Sequence, residues 1–237
     1  MGRAGIPVLG YHWMPASVWR SGTVPIRGGS VATAWDNCSD QQSAIGEISI
    51  PDHFDRSHEN MWEWLEYWIR AITRVAEEAG IRLGIHPDDP PVLELGGEAR
   101  LLGSFDAYKR LTSIVDSPSN GIEFCQGTFY EMEGENIYEM IKYFVERNKV
   151  LYVHFRNVSA QVPSFNEEFI NTGYVDMKRA METYNAAGFE GVFMDDHCPL
   201  ITDDADFPGN WGGYRSRIFA QGYIEAMLEA VTGERPV

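Results

Sequence analysis

Five short apolar runs constrain this chain more than any other feature: Val8-Leu-Gly-Tyr, Arg82-Leu-Gly-Ile, Gly121-Ile-Glu-Phe, Val150-Leu-Tyr-Val and Gly191-Val-Phe-Met. None alternates strictly, the pattern expected of strands buried on both faces. Four of the five lead straight into side chains that can bind a metal: His86, Cys125, His154 and Asp195-Asp196-His197. Positions 86, 125, 154 and 196 are separated by 39, 29 and 42 residues, and each interval holds one strand-loop-helix-loop unit. Side chains at the C-terminal ends of parallel strands converge when the sheet curls into a barrel.

Helical periodicity fills the intervals. Between Glu59 and Ala79 the residues Met61, Trp62, Leu65, Trp68, Ile69, Ile72, Val75, Ala76 and Ala79 recur every three to four positions, and Gly80 supplies a stop. Further helices are expected over Phe105 to Val115 behind a Ser104 N-cap, Glu135 to Glu146, Val175 to Ala187 before Gly188, and Tyr214 to Val231. Strand and helix alternation predicts an α/β fold of parallel (β/α) TIM-barrel type, with residues 1–237 as a single barrel-like domain. A closed barrel needs eight strands and typically ~250 residues. Five strands imply an incomplete barrel with the first strand-helix units missing. Its open edges are expected to associate with a second copy or to be completed by a longer chain. Residues His12 to Ser57 carry Pro, Gly, Ser and scattered Trp without periodicity, so a long loop over the active face is expected there.

Composition narrows the function classes. A formal charge of -16 repels phosphate backbones and anionic membrane surfaces, which argues against nucleic acid and membrane partners. No apolar run approaches the ~18 residues of a membrane span, and the first 30 residues hold no apolar signal core, so a soluble cytoplasmic protein is expected. Three scattered cysteines, Cys38, Cys125 and Cys198, make no disulfide framework. Gly-x-Gly-x-x-Gly, Walker, Gly-x-Ser-x-Gly and His-Glu-x-x-His motifs are absent, which sets nucleotide and serine-hydrolase chemistry aside.

Two imidazoles, a thiolate and a carboxylate make a donor set for a first-row divalent metal. Singly, each could be a packed core residue; their repeated placement at strand ends favours a site. His86-Pro-Asp-Asp-Pro-Pro91 adds two acids in a loop stiffened by proline. In His154-Phe-Arg156-Asn157 the arginine could clamp a carboxylate or bridge the barrel rim. Asp195-Asp196-His197 pairs a ligand with an acid/base group, adjacent side chains serving metal and substrate in turn. His12 could line the site. His53, His58 and the acidic Asp203, Asp204 and Asp206 read as solvated, and Trp35 and Trp211 as packing.

Taken in order, several motifs resemble the mannonate dehydratase family, in the xylose-isomerase-like group of TIM barrels. They are His86-Pro-Asp-Asp-Pro-Pro91, Asn120-Gly-Ile-Glu-Phe-Cys125 with Gly127, His154-Phe-Arg156, Gly173 with Asp176-Met177, Asp196-His197 and Gly213-Tyr214. Tyr11, Met14-Pro15, Trp19 and Gly29-Ser30 extend the likeness towards the N-terminus. The resemblance implies a carbon-oxygen lyase that dehydrates D-mannonate to 2-keto-3-deoxy-D-gluconate with a divalent metal, usually Mn²⁺, with Fe²⁺ as the other candidate. It puts the metal ligands on His86, Cys125, His154 and Asp196, proton transfer on His197 and Tyr214, and substrate positioning on Asp88, Arg156 and His12. His12 departs from the family's usual Asn, and the chain begins at what would be the fourth barrel strand. A metal-dependent sugar isomerase or epimerase, or a non-catalytic degenerate subunit, is the alternative on the same fold.

Overall fold

All five apolar runs form strands of one parallel sheet, in spatial order β1 (Val8–Tyr11), β2 (Arg82–Ile85), β3 (Asn120–Cys125), β4 (Val150–His154) and β5 (Val192–Met194). The computed structural model describes residues 1–46, 54–204, 206–207, 209 and 211–234. Every neighbouring pair is parallel. Central β3 is buried along its whole length, whereas edge strands β1 and β5 are only half-covered, with Leu9 and Val192 open to solvent. The described residues thus form a curved five-stranded part of a barrel, as the strand count predicts.

Helices pack on the outer face. Helix α1 (His58–Ala79) buries Met61, Trp62, Leu65, Ile69 and Ala76, and Gly80 ends it in the left-handed conformation at φ 67°, its N–H reaching the Ala76 and Glu77 carbonyls. The buried stripe is narrower than the periodicity suggests, because Trp68 and Val75 stay exposed. Helix α2 (Phe105–Ile114) starts at Ser104, whose Oγ accepts from the Ala107 N–H at 3.2 Å. A short helix not expected from the sequence, α3 (Gln126–Glu131), follows β3 without a break and stacks Phe129 on Phe124 at 4.0 Å between centroids. Next come α4 (Ile137–Val145), α5 (Met177–Ala186) and α6 (Tyr214–Thr232).

Two expectations need correction. Residues 12–46 are not simply a loop: Gly22–Pro25 pairs antiparallel with Val31–Asp36, which pairs with Ser164–Glu168, and that strand with Asn157–Val158. This four-stranded sheet packs around Trp35, Leu95, Val158 and Phe165. Its strands are short, and its two local hairpins, Gly22–Pro25 with Val31–Asp36 and Asn157–Val158 with Ser164–Glu168, are joined only by a pairing of residues about 130 apart, so no local period betrays the sheet. Asp204 is likewise not solvated: it is buried and accepts from the Ser216 N–H at 3.1 Å, satisfying a free donor at the start of α6. Trp35 is packing, its Nε1 donating to Asn37 at 2.6 Å. His53 lies outside the described residues, and exposed His58 accepts from Trp62 Nε1 at 3.2 Å. Among the described residues no helix is long and apolar enough to cross a membrane.

Candidate metal centre

The β3–β4 register sets Cys125 opposite His154 at the C-terminal end of the sheet. His86 follows β2 directly, its N–H donating to the Tyr11 carbonyl at 2.7 Å. Asp196 lies two residues beyond β5 in the left-handed region at φ 58°, which aspartate tolerates better than most residues. Helix α6 fixes that turn: Arg217 donates to the Asp196 carbonyl at 2.6 Å and to Asp195 Oδ2 at 2.8 Å, and Gln221 holds the other Asp195 oxygen at 2.5 Å. Asp195 is therefore committed to the helix rather than to substrate, while Asp196 faces the cluster.

Ligand-capable atoms of His86, Cys125, His154 and Asp196 all lie within 4.8 Å of one another. Cys125 Sγ stands 3.8 Å and His154 Nδ1 3.4 Å from Asp196 Oδ2. His86 Nδ1 sits 2.7 Å from the Pro87 carbonyl, which can only accept, so that nitrogen carries the proton and Nε2 is free to bind. His154 Nδ1 is buried without a hydrogen-bond partner among the described residues.

Charge supports the same reading. Burial would raise the Cys125 thiol, but Arg156 and the His86 and His154 imidazoles hold it well below its ordinary value. Burial would also raise Asp196, yet His197, His154 and Arg156 hold it well below the carboxylate range. Burial opposes charging either imidazole, and it is outweighed: Cys125 with nearby carboxylates lifts His86 to about 9, while Asp196 and Cys125 lift His154 to about 10. Thiolate and carboxylate are thus balanced by two protons, a charge that one divalent cation would supply in their place. Donor types, the unpartnered Nδ1 and this balance all fit such an ion.

Other sequence-derived candidates fall into two groups. His197 joins the cluster, with Nε2 3.3 Å from Asp196 Oδ2, Nδ1 2.8 Å from Glu167 and its ring edge-on to Trp211 at 4.7 Å. Exposed His12 accepts from the Met14 N–H at 3.3 Å; Tyr214 opens α6, 74% exposed, its ring edge-on to Phe207. Arg156 and Asp88 are both buried and engaged by protein groups. The Arg156 guanidinium meets Thr128 Oγ1 at 2.8 Å, Glu131 at 3.2 Å, Glu167 and Asp196 at 3.3 Å and Asp89 at 3.5 Å. A Cβ on Gly127 would run into that guanidinium. Asp88 accepts from the Leu102 N–H at 2.6 Å beside Arg100 at 3.8 Å. Of the two sequence-based readings of Arg156, a bridge within the rim is what these contacts describe.

Sequence reasoning passed over four buried charges here: Arg20, Glu123, Glu131 and Glu167. Glu123 did carry a signal, an acid inside a run otherwise read as fully buried strand. Arg20 grips Asp89 through two bonds of 2.6 and 2.8 Å. Burial would raise Asp89, but Arg20 and then Arg156 pull it down to about 2. The folded value lies below the ordinary 3.8, so the pair contributes about 2 kcal/mol above pH 4, lost as pH falls towards 2. In Arg20→Met we expect stability at pH 7 to drop by about 3–5 kcal/mol, because Asp89 loses its main partner. The gap to the unmodified protein should narrow below about pH 3 as that carboxylate protonates, measured by urea unfolding at pH 7, 4 and 2.5.

A parallel sheet backed by helices, with His, Cys, His and Asp clustered at its C-terminal ends, defines part of a barrel of the xylose-isomerase-like kind with a donor set suited to a divalent metal. A D-tagatose 3-epimerase-like protein shares this fold at TM-score 0.59 and 15% identity, over 98% of this chain and 66% of that one. A much nearer likeness is the crystal structure of mannonate dehydratase from Streptococcus suis serotype2, at TM-score 0.87 and 30% identity, over all of this chain and 69% of that one. Among curated proteins, mannonate dehydratase 2 of Halalkalibacterium halodurans is 29% identical over 98% of this chain and 73% of its own length, and mannonate dehydratase of Streptococcus uberis 30% over 96% and 71%. Residues 49–235 match the family model of D-mannonate dehydratase (UxuA). The chain belongs to that family, and hence to the lyases that remove water from a sugar acid.

Proposed function

We propose that this chain dehydrates D-mannonate to 2-keto-3-deoxy-D-gluconate with a divalent ion, Mn²⁺ in the first place, held by His86, Cys125, His154 and Asp196. The observation that carries the reading is the convergence of those four donors within 4.8 Å at the strand ends. When bound, the ion supplies a Lewis acid that draws electron density from the sugar acid's carboxylate end and makes the C2 proton easier to remove. His197 and Tyr214 then move the two protons, one taken from C2 and one delivered to the departing C3 hydroxyl. Loss of water leaves an enol that tautomerises to the keto acid. Glu167, 2.8 Å from His197 Nδ1, and Trp211 hold that imidazole in place. Arg156 and Asp88 serve substrate binding indirectly, by fixing Asp196 and the proline-rich loop, and His12 contacts a sugar hydroxyl. Residues 1–237 act as one barrel-type domain in the cytoplasm, in hexuronate breakdown.

The exposed strands β1 and β5 bear on how the chain works. Among the described residues no further strand pairs with either outer edge, which favours further pairing, so a polypeptide of these 237 residues should associate with itself or with a longer chain. Size-exclusion chromatography, with D-mannonate and Mn²⁺ turned over by each fraction, tests both points. We expect a 2-keto-3-deoxy acid, lighter than substrate by one water, from associated species and little or none from monomer. A product of unchanged mass would replace dehydration by isomerisation or epimerisation. A fully active monomer would overturn the association.

A further inference from the structure

The metal-binding rung has a polar rung beneath it. Side chains two residues apart on a strand share a face, so Glu123 lies below Cys125 on β3 and Tyr152 below His154 on β4, and the register pairs Glu123 with Tyr152 as it pairs Cys125 with His154. Barrel interiors are ordinarily filled by apolar layers, and a buried carboxylate at this level is costly unless it is partnered. Glu123 has partners on two sides: the Tyr152 hydroxyl donates to it, and its Oε1 stands 3.1 Å from His154 Nε2. Room for this rung comes from β1, where a Cβ at Gly10 would collide with both the Tyr152 hydroxyl and the Glu123 carboxylate.

The geometry points to Glu123 as the positioning residue that commits His154 to the metal. A carboxylate accepts, so Oε1 at 3.1 Å favours the imidazole proton on Nε2 and leaves the Nδ1 lone pair towards the cluster, where Asp196 Oδ2 lies 3.4 Å away. Tyr152 acts one step further out, holding the carboxylate against rotation away from the ring. His86 needs no such acid, because the Pro87 carbonyl sets its tautomer at 2.7 Å. Glu123 is not one of the four clustered donors; it acts through His154.

This inference rests on the metal reading of the four-residue cluster, and the test separates the two. Affinity of the full chain for Mn²⁺ and Co²⁺ is measured by competition with a metal-binding dye, for the unmodified protein, Glu123→Gln and Glu123→Ala, alongside circular dichroism and thermal unfolding without metal. Groups of this kind typically contribute 10–100-fold to metal affinity. Glu123→Ala should therefore bind about 10–100-fold more weakly. Glu123→Gln should lose less, since its amide oxygen still accepts from Nε2–H without the charge; being isosteric, it also serves if the alanine variant fails to fold. Affinities within about twofold of the unmodified protein in the folded variants, with only the unfolding temperature changed, would make Glu123 a structural residue and overturn the inference alone. If the unmodified protein bound neither ion, the metal reading would fall and this inference with it.

Discussion

Replacing His197 by alanine should lower D-mannonate turnover by about 10²- to 10⁴-fold, the range that a positioned proton-transfer group contributes, while leaving Mn²⁺ affinity within a few-fold. The separation of the two effects follows from where the ring sits. Its Nδ1 stands 2.8 Å from Glu167 and its Nε2 faces Asp196 Oδ2 at 3.3 Å, so it borders the four-residue cluster without being one of its members. Trp211 packs edge-on against it, which leaves the ring little freedom to turn. Tyr214→Phe removes only a hydroxyl from an exposed ring and should also depress turnover more than metal binding. Steady-state kinetics at saturating Mn²⁺, with metal affinity measured on the same preparations, separate the quantities. Unmodified turnover in both variants would remove His197 and Tyr214 from the chemistry.

Cys125→Ser should weaken metal binding by at least ~100-fold, beyond what outlying orienting groups contribute, and turnover should fall with metal occupancy. The substitution keeps a small polar side chain, but a serine hydroxyl stays protonated where the thiol ionises, and the thiolate is the species that binds metal. Cys125 is fully buried, with Thr128 Oγ1 donating to its sulfur at 3.3 Å and Arg156 and two imidazoles favouring its negative charge. Removing that charge leaves Arg156 with carboxylate partners still in reach, so the fold should survive. Excess Mn²⁺ should restore part of the activity. Chelator competition checks the first statement and a metal titration of turnover the second; an affinity within a few-fold of the unmodified protein would take Cys125 out of the donor set.

The barrel part of the fold was legible because its signals are local. Apolar runs at 8–11, 82–85 and 150–153 and helical periodicity from 59 to 79 depend on neighbours along the chain, and the strands and helix formed where expected, with boundaries shifted by a residue or two. The clustering of His86, Cys125, His154 and Asp196 was legible for a related reason: strand ends carry them, and parallel strands bring their ends together. What escaped notice depends on distant partners. Arg20 reads as one more surface cation until Asp89 is seen beside it, and Arg156 reads equally well as a substrate clamp until Glu131, Glu167 and Asp196 surround it. Asp204 looked solvated because nothing local shows that α6 begins above it. The antiparallel sheet was missed for a related reason, since its two short hairpins join only through Val31–Asp36 and Ser164–Glu168, which lie on opposite sides of the barrel sequence.

That last feature has a temporal side. Trp35 pairs with Phe165, so on the ribosome one half of the antiparallel sheet emerges about 130 residues before the other. At about 5–20 residues per second the wait is roughly ten seconds, long compared with the microseconds to milliseconds in which local helices and hairpins form. The Gly22–Asp36 hairpin must therefore remain without its partner while β2, β3 and β4 are laid down, and it can be joined only after Ser164–Glu168 is synthesised. Glu167, which holds both His197 and Arg156, arrives on that final strand. The order of synthesis thus lays down three of the four clustered residues, His86, Cys125 and His154, before Ser164–Glu168 can complete the antiparallel sheet, with Asp196 last of all.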